Sequence, residues 1–339
     1  MNDFEFQQST TSGEAIRSVA QNENAFFLAG GTNLLDLWKY DITHPALLVD
    51  INNVDTPDGV IETQDGGIQI SARLTNAHTA YHPIIEERYP LLSKAILAGA
   101  SAQIRNMASN GGNLLQRTRC YYFYDPHVPC NKREPGSGCS AIEGYNRIHA
   151  ILGASDTCIA VFPSDMCVAL AALNAIVNIE GPDGERSMPF ADFHRLPGDT
   201  PNIDNNLAHG ELITSIDLPP KGYAQHYSYL KLRDRHSYAF ALVSVATGLE
   251  LDGNTISSAR IALGGVAHKP WRSIEAEDFL RGKPASEENF STAADIILKG
   301  AKGYQYNSFK IELAKKAIIR NCLMALDPAS QVPGAGPSK

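Results

Sequence analysis

Short apolar runs bounded by glycine, proline and polar residues recur along the chain and predict a mixed α+β protein. Apolar residues 26–28 and 46–51 predict two buried strands, and the pattern between them predicts a helix over 34–40. Residues 59–71 alternate around Asp65-Gly66-Gly67, which is typical of a hairpin. Thr11-Ser12-Gly13-Glu14 resembles a capping box and predicts a helix ending near Ala20.

The middle of the chain continues with further helices and strands. Thr75 predicts a helix start, and Pro83 lies near the start of a longer predicted helix that runs to about Leu97. Pro163-Ser164-Asp165 precedes a third, apolar helix. Strands are predicted over residues 149–153, 159–162, 175–180 and 212–218, the third of them entering a hairpin turn at 182–184.

Pro219-Pro220 marks the main predicted domain boundary, so that residues 1–220 and 221–326 form separate domains. The segments 226–231, 239–251 and 257–263 predict a three-stranded antiparallel sheet. Helices are predicted near 286–299 and 307–326. The tail over 327–339 is rich in proline, glycine and serine and is predicted to be disordered.

Composition narrows the functional classes. The chain has 339 residues, of which 43% are hydrophobic and 19% charged, as in globular proteins. A net charge of -8 makes nucleic acid an improbable partner, because phosphate backbones select basic surfaces. Residues 1–6 lack the features of a signal peptide, and the longest apolar tract, 167–179, is too short for a membrane span. Any export would then depend on a partner.

Two stretches combine adjacent glycines with polar residues and a leucine pair: 26–37 and 109–115. In the first, Gly30-Gly31 follows a predicted strand and precedes a helix, so backbone amides there could face phosphate oxygens. The second repeats this arrangement at Gly111-Gly112, and together the turns suggest two lips of a cleft for a diphosphate ligand. An ordinary tight turn is the alternative, because neither a Rossmann fingerprint nor a P-loop motif occurs.

Six cysteines are present, and four fall within one segment rich in proline, glycine and arginine: Cys120, Cys130, Cys139 and Cys158. Their spacing differs from the C-x2-C rhythm of zinc ribbons and bacterial ferredoxins. Four thiolates match a [4Fe–4S] cluster, and nearby Arg117, Arg119, Lys132 and Arg133 would favour thiolates. Two disulfides, free thiols or a zinc site are the alternatives. Cys167 and Cys322 lie in apolar helical patterns and are predicted core thiols.

Taken together, these stretches resemble the FAD-binding medium subunits of the molybdenum hydroxylases, the xanthine dehydrogenase and aldehyde oxidoreductase family, and most closely those of bacterial periplasmic aldehyde oxidoreductases. The resemblance rests on 28–37, 111–120, 129–133, 135–139, 237–245 and 264–272, and it extends from about residue 4 to 325. It implies a PCMH-type FAD-binding fold of two α/β subdomains, 1–55 and 56–220, with a cysteine-rich insert at 116–158. A C-terminal α+β domain follows.

The resemblance also implies the site residues. FAD contacts are expected from Phe26, Phe27, Leu28, Ala29, Gly30, Gly31, Thr32, Asn33, Leu34, Ala108, Ser109, Gly111, Gly112, Asn113, Asp165, Ile213 and Lys231. The ligands of a [4Fe–4S] cluster are expected to be Cys120, Cys130, Cys139 and Cys158. FAD is expected to be non-covalent, because the first turn carries neither histidine nor cysteine. No catalytic residue is expected in this chain.

Simpler interpretations apply to some of these residues. Lys231 could be an exposed strand lysine. Asp165 could cap a helix or favour its N-terminal dipole, and neither role excludes a ligand contact. Tyr238 could stack near the flavin or lie in the core. His78 and His82 lack the glutamate of an H-E-x-x-H motif and are predicted surface residues.

The implied function is electron transfer. A large molybdenum-cofactor subunit would oxidise the substrate, and a small subunit would pass electrons through [2Fe–2S] clusters to FAD in this chain, which would deliver them to an external acceptor. The implied location is the periplasm, reached by co-export with a partner, with the cytoplasm as the alternative. A self-contained flavin oxidase and a non-redox iron–sulfur scaffold are the competing functions.

Overall fold

The computed structural model of the protein describes residues 2–55 and 58–331. Its first unit is a three-stranded parallel sheet in the order β1-β3-β2. Helix packing on this sheet buries Ile16, Val19 and Val49. The elements of this unit are β1 (Glu5–Gln8), α1 (Ser12–Ala20), β2 (Ala25–Leu28), α2 (Leu34–Lys39) and β3 (Leu47–Asp50).

Local sequence signals explain most of this unit. One half of the predicted capping box forms at the start of α1, where the N-cap Thr11 Oγ1 accepts from the Glu14 amide at 3.2 Å. The Glu14 carboxylate in turn accepts from the amide of Thr10 at 3.3 Å. Strand β1 is not predicted by the pattern, because it is an exposed edge strand whose Phe6 is 57% exposed.

The second unit is a five-stranded sheet in the order β4-β5-β8-β6-β7, with every described pair antiparallel. Buried helices α5 and α10 pack together against its core. The elements are β4 (Val60–Glu62), β5 (Ile68–Ser71), α3 (Asn76–Ala80), α4 (Pro83–Arg88), α5 (Pro90–Ala98), α6 (Ala102–Arg105), α7 (Asn110–Leu114), α8 (Tyr121–Tyr124), α9 (Ser140–Glu143), α10 (Asp165–Ala172), β6 (Ile176–Gly181), β7 (Gly184–Pro189), α11 (Phe190–Phe193) and β8 (Leu212–Leu218).

The long helix predicted from Pro83 to Leu97 is wrong, because the structure divides it into α4 and α5. The break falls at Tyr89, whose φ of -129° and ψ of 48° are not helical. Pro90 follows at once, and a proline disfavours the helical conformation of the residue before it. Pro90 instead begins the second helix, where its missing N–H costs nothing.

The two apolar segments predicted as strands over 149–153 and 159–162 are also not strands. Their backbone groups pair with another part of the chain instead of with a neighbouring strand. The amides of Ile151 and Leu152 both donate to the carbonyl of Val266, at 2.9 and 3.0 Å. These segments are apolar because their side chains are buried, Ile151 and Leu152 in the core of the C-terminal sheet and Ile159 beside the cysteines.

The third unit is an antiparallel sheet in the order β12-β11-β10-β9, with helices packed on it. The sequence predicts three of these strands; the fourth, β12, has only two residues. The predicted start of the second strand at 239 moves to Val243. The elements are β9 (His226–Leu232), β10 (Val243–Asp252), β11 (Thr255–Gly264), β12 (Trp271–Arg272), α12 (Ile274–Leu280), α13 (Glu287–Ile297) and α14 (Phe309–Leu326).

The sequence predicts a disordered tail over 327–339, but the part of it that the structure describes, up to residue 331, is ordered. A 3-10 turn spans Pro328–Ser330, and the side-chain amide of Gln331 donates to the carbonyls of Tyr227 and Met324, both at 2.8 Å. Residues 332–339 lie outside the described residues. Across residues 2–55 and 58–331, the structure contains no helix with the length and apolarity needed to cross a membrane.

Candidate functional site

The first glycine turn connects β2 to α2 and leaves its backbone amides free. Among the hydrogen bonds of the described residues, none uses an N–H of residues 30–34 as donor. Gly31 has a φ of 70°, a conformation that favours glycine. Asn33 Oδ1 is buried without a partner, and Thr32 is exposed. Unpaired amides at a strand-to-helix turn are the arrangement that binds phosphate oxygens.

The structure brings the two glycine turns into contact. A Cβ atom on Gly30 would lie 1.7 Å from the carbonyl oxygen of Met107 and 3.2 Å from the amide nitrogen of Ala108. The first turn therefore needs glycine at this position to pack against the residues that precede the second turn. The two turns are therefore neighbours in the structure, and a ligand cleft between them stays a prediction.

The second turn differs from the first, because its amides already have partners. The N–H of Asn110 and of Gly111 donate to backbone carbonyls at 3.0 and 2.8 Å, and that of Asn113 donates to the carbonyl of Ser109 at 2.9 Å. Ser109 caps α7 by accepting from the amide of Gly112 at 3.2 Å. Of these residues Gly112 is exposed. This turn therefore offers a ligand its exposed surface and side chains, not a row of free amides.

Asparagine side chains hold the second turn against its surroundings. Asn113 Nδ2 donates to Asn76 Oδ1 at 2.6 Å, and Asn76 Nδ2 donates to Asn110 Oδ1 at 3.0 Å. Ser164, the N-cap of α10, donates to Asn113 Oδ1 at 2.5 Å. Gly111 lies next to Ile213 of β8. A Cβ atom added to Gly111 would lie 3.8 Å from the Cβ of Ile213. Of the predicted contact residues, Asn113 therefore belongs to this turn and Ile213 lies next to its Gly111.

Asp165 and Lys231 form a buried ion pair. Lys231 Nζ donates to Asp165 Oδ2 at 2.7 Å and to the carbonyl of Ala98 at 3.1 Å. The Tyr229 hydroxyl donates to Asp165 Oδ1 at 2.6 Å, and burial raises the pKa of Tyr229. Ser164, not Asp165, caps α10, so the capping interpretation of Asp165 is wrong. Lys231 is 8% exposed, so the exposed-lysine interpretation is wrong as well.

A cavity of about 40 Å³ lies beside this ion pair, between α10 and the C-terminal sheet. Its lining includes Asp165, Arg119, Phe240 and Gly265. Tyr238, proposed to lie near the flavin or in the core, is 59% exposed with a φ of 51°, so the core interpretation is wrong.

The four cysteines of the insert converge on a second cavity of about 10 Å³, lined among others by Cys120, Cys130, Cys139 and Cys158. All four are free thiols, so the structure contains no disulfide here. No group of three or more His, Cys, Asp or Glu side chains in the described part of the chain is arranged to hold a metal ion. The four cysteines are therefore not arranged as a zinc site, and a cluster site among them stays a prediction.

The thiols differ in acidity. The interaction between the Cys139 and Cys158 thiols lowers the pKa of Cys139 and raises that of Cys158. Burial raises the pKa of Cys120 to about 12. Four free thiols around one cavity are the donor set that a [4Fe–4S] cluster requires, although the cavity as it stands has room for about one water molecule.

The basic residues of the insert brace it. Arg117 Nε and Lys132 Nζ donate to the two oxygens of Asp204 at 2.8 and 2.5 Å. Although burial opposes ionisation of this carboxyl, Lys132 and Arg117 hold its pKa below the usual range. Arg133 donates to the carbonyls of Tyr122 and Phe123 at 2.9 Å. Their main visible role is therefore to fix the loop.

One contact joins the insert to the first glycine turn. The Tyr124 hydroxyl donates to Asp36 Oδ2 at 2.9 Å, and Arg119 lies 3.6 Å from the same oxygen. Asp36 belongs to α2, the helix that follows the first turn, and does not cap it. The cysteine cavity and the glycine turn are therefore parts of one connected region.

Several other predicted residues lie outside this region. Cys167 and Cys322 are fully buried core thiols, as predicted, and burial raises the pKa of each to about 12. His78 is exposed, whereas His82 is half-buried.

The sequence pattern missed one residue of the cysteine region, His149. This histidine is buried, its Nε2 lies 3.1 Å from Cys120 Sγ, and burial lowers its pKa to about 4.

Comparison with known proteins agrees with this geometry. Residues 2–221 match the family described as FAD binding domain in molybdopterin dehydrogenase, and residues 227–305 match the CO dehydrogenase flavoprotein C-terminal domain. The chain is 48% identical to the aldehyde oxidoreductase FAD-binding subunit PaoB of Escherichia coli, over 94% of this chain and 96% of that protein. It is 28% identical to the glyceraldehyde dehydrogenase medium chain of Sulfolobus acidocaldarius, over 84% of each.

A solved structure extends the similarity to three dimensions. Quinoline 2-oxidoreductase from Pseudomonas putida 86 superposes with a TM-score of 0.74 at 26% identity, covering 97% of this chain and 99% of that one. This one structure therefore covers both of the segments that match the family models, 2–221 and 227–305. From these matches and the glycine turns, the chain belongs to the FAD-binding medium subunits of the molybdenum hydroxylases.

Proposed function

We propose that this chain is the electron-transfer subunit of a molybdenum-dependent aldehyde oxidoreductase and that it binds both FAD and a [4Fe–4S] cluster. The observation that carries the proposal is the connection between two sites, the free amides of residues 30–34 and the four-cysteine cavity, through Asp36 and Tyr124. The similarity to an aldehyde oxidoreductase subunit over nearly the whole chain supports the substrate class.

The chain's own residues would hold the cofactors. The amides of residues 30–34 would bind the pyrophosphate of FAD, and the Asp165–Lys231 pair would contact the flavin nucleotide from the α10 side. The four cysteines of the insert would ligate the cluster. Bound FAD would supply two-electron storage, and the protein would supply orientation and electrostatics.

The proposed partners are a large subunit that carries the molybdenum cofactor and oxidises the aldehyde, and a small subunit with [2Fe–2S] clusters. Electrons would reach this chain from the small subunit and leave to an external acceptor. We further propose a periplasmic location, reached by export in a complex with a partner subunit. Fractionation of cells that produce the whole complex tests this location, and recovery of the chain only with cytoplasmic markers would contradict it.

An absorption spectrum and iron analysis of the purified complex test the cofactor content. We expect flavin bands over a broad iron–sulfur background in the wild-type protein. Flavin with substrate turnover by this chain alone would favour a self-contained oxidase. Iron without flavin would favour a structural scaffold.

Substitution of one cysteine tests the ligands. Cys139→Ser should remove the iron of this subunit while leaving FAD bound, because the glycine turns do not use this residue. Cys322→Ala is the matched control, since Cys322 is an equally free but distant core thiol. Unchanged iron content in Cys139→Ser would contradict the ligand assignment.

A further inference from the structure

His149 is the histidine of the cysteine-rich segment that faces a cysteine sulfur. Its side chain is 1% exposed, and its Nε2 lies 3.1 Å from Cys120 Sγ. The ring also packs against Tyr122, with ring centroids 6.3 Å apart. Its other nitrogen, Nδ1, is buried without a hydrogen-bond partner. The contact with Cys120 is therefore the hydrogen bond through which this imidazole acts.

The C-terminal domain fixes the position of His149. The carbonyl of His149 accepts from Lys310 Nζ at 2.8 Å and from Asn307 Nδ2 at 3.1 Å. Lys310 is fully buried and also donates to the carbonyl of Gly265 at 2.6 Å. The backbone of His149 is therefore held by two side chains near the start of α14. The C-terminal part of the chain thus positions the imidazole, whereas the cysteines come from the preceding insert.

The direction of the hydrogen bond follows from the chemistry of the sulfur. A cysteine that ligates iron is a thiolate and can only accept a hydrogen bond. His149 must then carry its proton on Nε2, which leaves Nδ1 as a bare acceptor. The opposite tautomer would bury an N–H at Nδ1 with no acceptor, an arrangement that is rare in proteins.

We propose that His149 is a positioning residue that donates a hydrogen bond from Nε2 to the Cys120 sulfur of the iron–sulfur cluster and raises the reduction potential of that cluster. The inference rests on the proposed [4Fe–4S] site. A donor aimed at a ligand sulfur stabilises the extra negative charge of the reduced cluster, and hydrogen bonds to the sulfurs are among the determinants of cluster potential. His149 thereby favours acceptance of an electron by this cluster.

Two variants of the intact complex separate this role from a purely structural one. His149→Leu removes the donor and should lower the midpoint potential measured by redox titration with EPR detection. His149→Gln keeps an N–H donor and should restore a potential near the wild-type value. His194→Gln is the control, because His194 is equally buried but its Nε2 contacts the carbonyl of Leu114, not a sulfur. Its cluster potential should be unchanged.

Pulsed EPR of the wild-type complex labelled with 15N-histidine provides an independent readout. We expect one weak nitrogen coupling to the reduced cluster, lost in His149→Gln. A strong coupling would mean direct ligation to iron and would overturn the proposal, as would the absence of any histidine coupling. An unchanged potential in an iron-loaded His149→Leu protein would also overturn it.

The possible failures are distinguishable. If His149→Leu does not retain iron, the wild-type nitrogen coupling and the potential of His149→Gln decide the matter by the same criteria. If the wild-type complex shows no [4Fe–4S] signal, the proposed function itself fails at the cluster, before His149 is tested.

Discussion

Replacing Asp165 with asparagine would leave the buried ammonium group of Lys231 without its charged partner. The side chains of Lys231 and Asp165 are 2% and 9% exposed, so both charges are largely removed from bulk water. The remaining acceptor of Lys231, the carbonyl of Ala98 at 3.1 Å, carries no net charge. Tyr229 would also lose the charged acceptor of its hydroxyl.

The expected cost follows from the burial of the pair. Removing one partner of a buried ion pair typically lowers the free energy of unfolding by about 3–5 kcal/mol, because the other charge is left uncompensated. The double substitution Asp165→Asn and Lys231→Met removes both charges. It should therefore cost less than the sum of the two single substitutions, with a coupling energy of about 1–3 kcal/mol.

Urea denaturation followed by circular dichroism measures this cycle. Titrations without added FAD and with a fixed excess of FAD separate stability from FAD affinity, because a ligand that binds only the folded state raises its apparent stability. Asp295→Asn is the matched control, since Lys315 and Asp295 form a 2.6 Å ion pair in which Asp295 is 60% exposed. That change should cost no more than about 1 kcal/mol.

Two results would refute the reasoning. A loss of less than about 1 kcal/mol in Asp165→Asn would show that the charge of Lys231 is satisfied in another way. Strict additivity in the double variant would show that the two side chains do not interact as the 2.7 Å contact implies.

Gly30→Ala should weaken FAD binding at least tenfold, because the new Cβ would lie only 1.7 Å from the Met107 carbonyl oxygen. Isothermal titration measures this affinity, and an unchanged value would contradict the contact between the turns. Gly13→Ala, in α1, is its control, with unchanged FAD affinity and about 0.5–1 kcal/mol more stability. Burial lowers the pKa of His194 to about 4, so the unfolded chain binds this proton near pH 6.5 whereas the folded chain does not. The stability advantage of wild type over His194→Gln should therefore fall as pH drops from 6.5 to 4, by up to about 1.4 kcal/mol per pH unit in urea titrations, and a constant difference would contradict this assignment.

The sequence by itself determined the features that depend on neighbouring residues. The helix caps at Thr11 and Thr75 form where the pattern places them, because a capping bond spans only three residues. The strand over 212–218 matches its predicted bounds, because Pro219-Pro220 ends it. The break at Pro90 was also readable locally, although the pattern of apolar residues concealed it.

Tertiary structure decided which groups are buried together. Nothing near Lys231 in the chain indicates that it lies against Asp165, because the partner is 66 residues away. The imidazole of His149 and the sulfur of Cys120 likewise meet only in the folded protein, where Lys310 of α14 holds the carbonyl of His149. Local propensity acts over a few residues, whereas burial and charge pairing depend on packing between distant segments. The sequence pattern therefore identified the glycine turns and cysteines, and the fold alone brought them into one region.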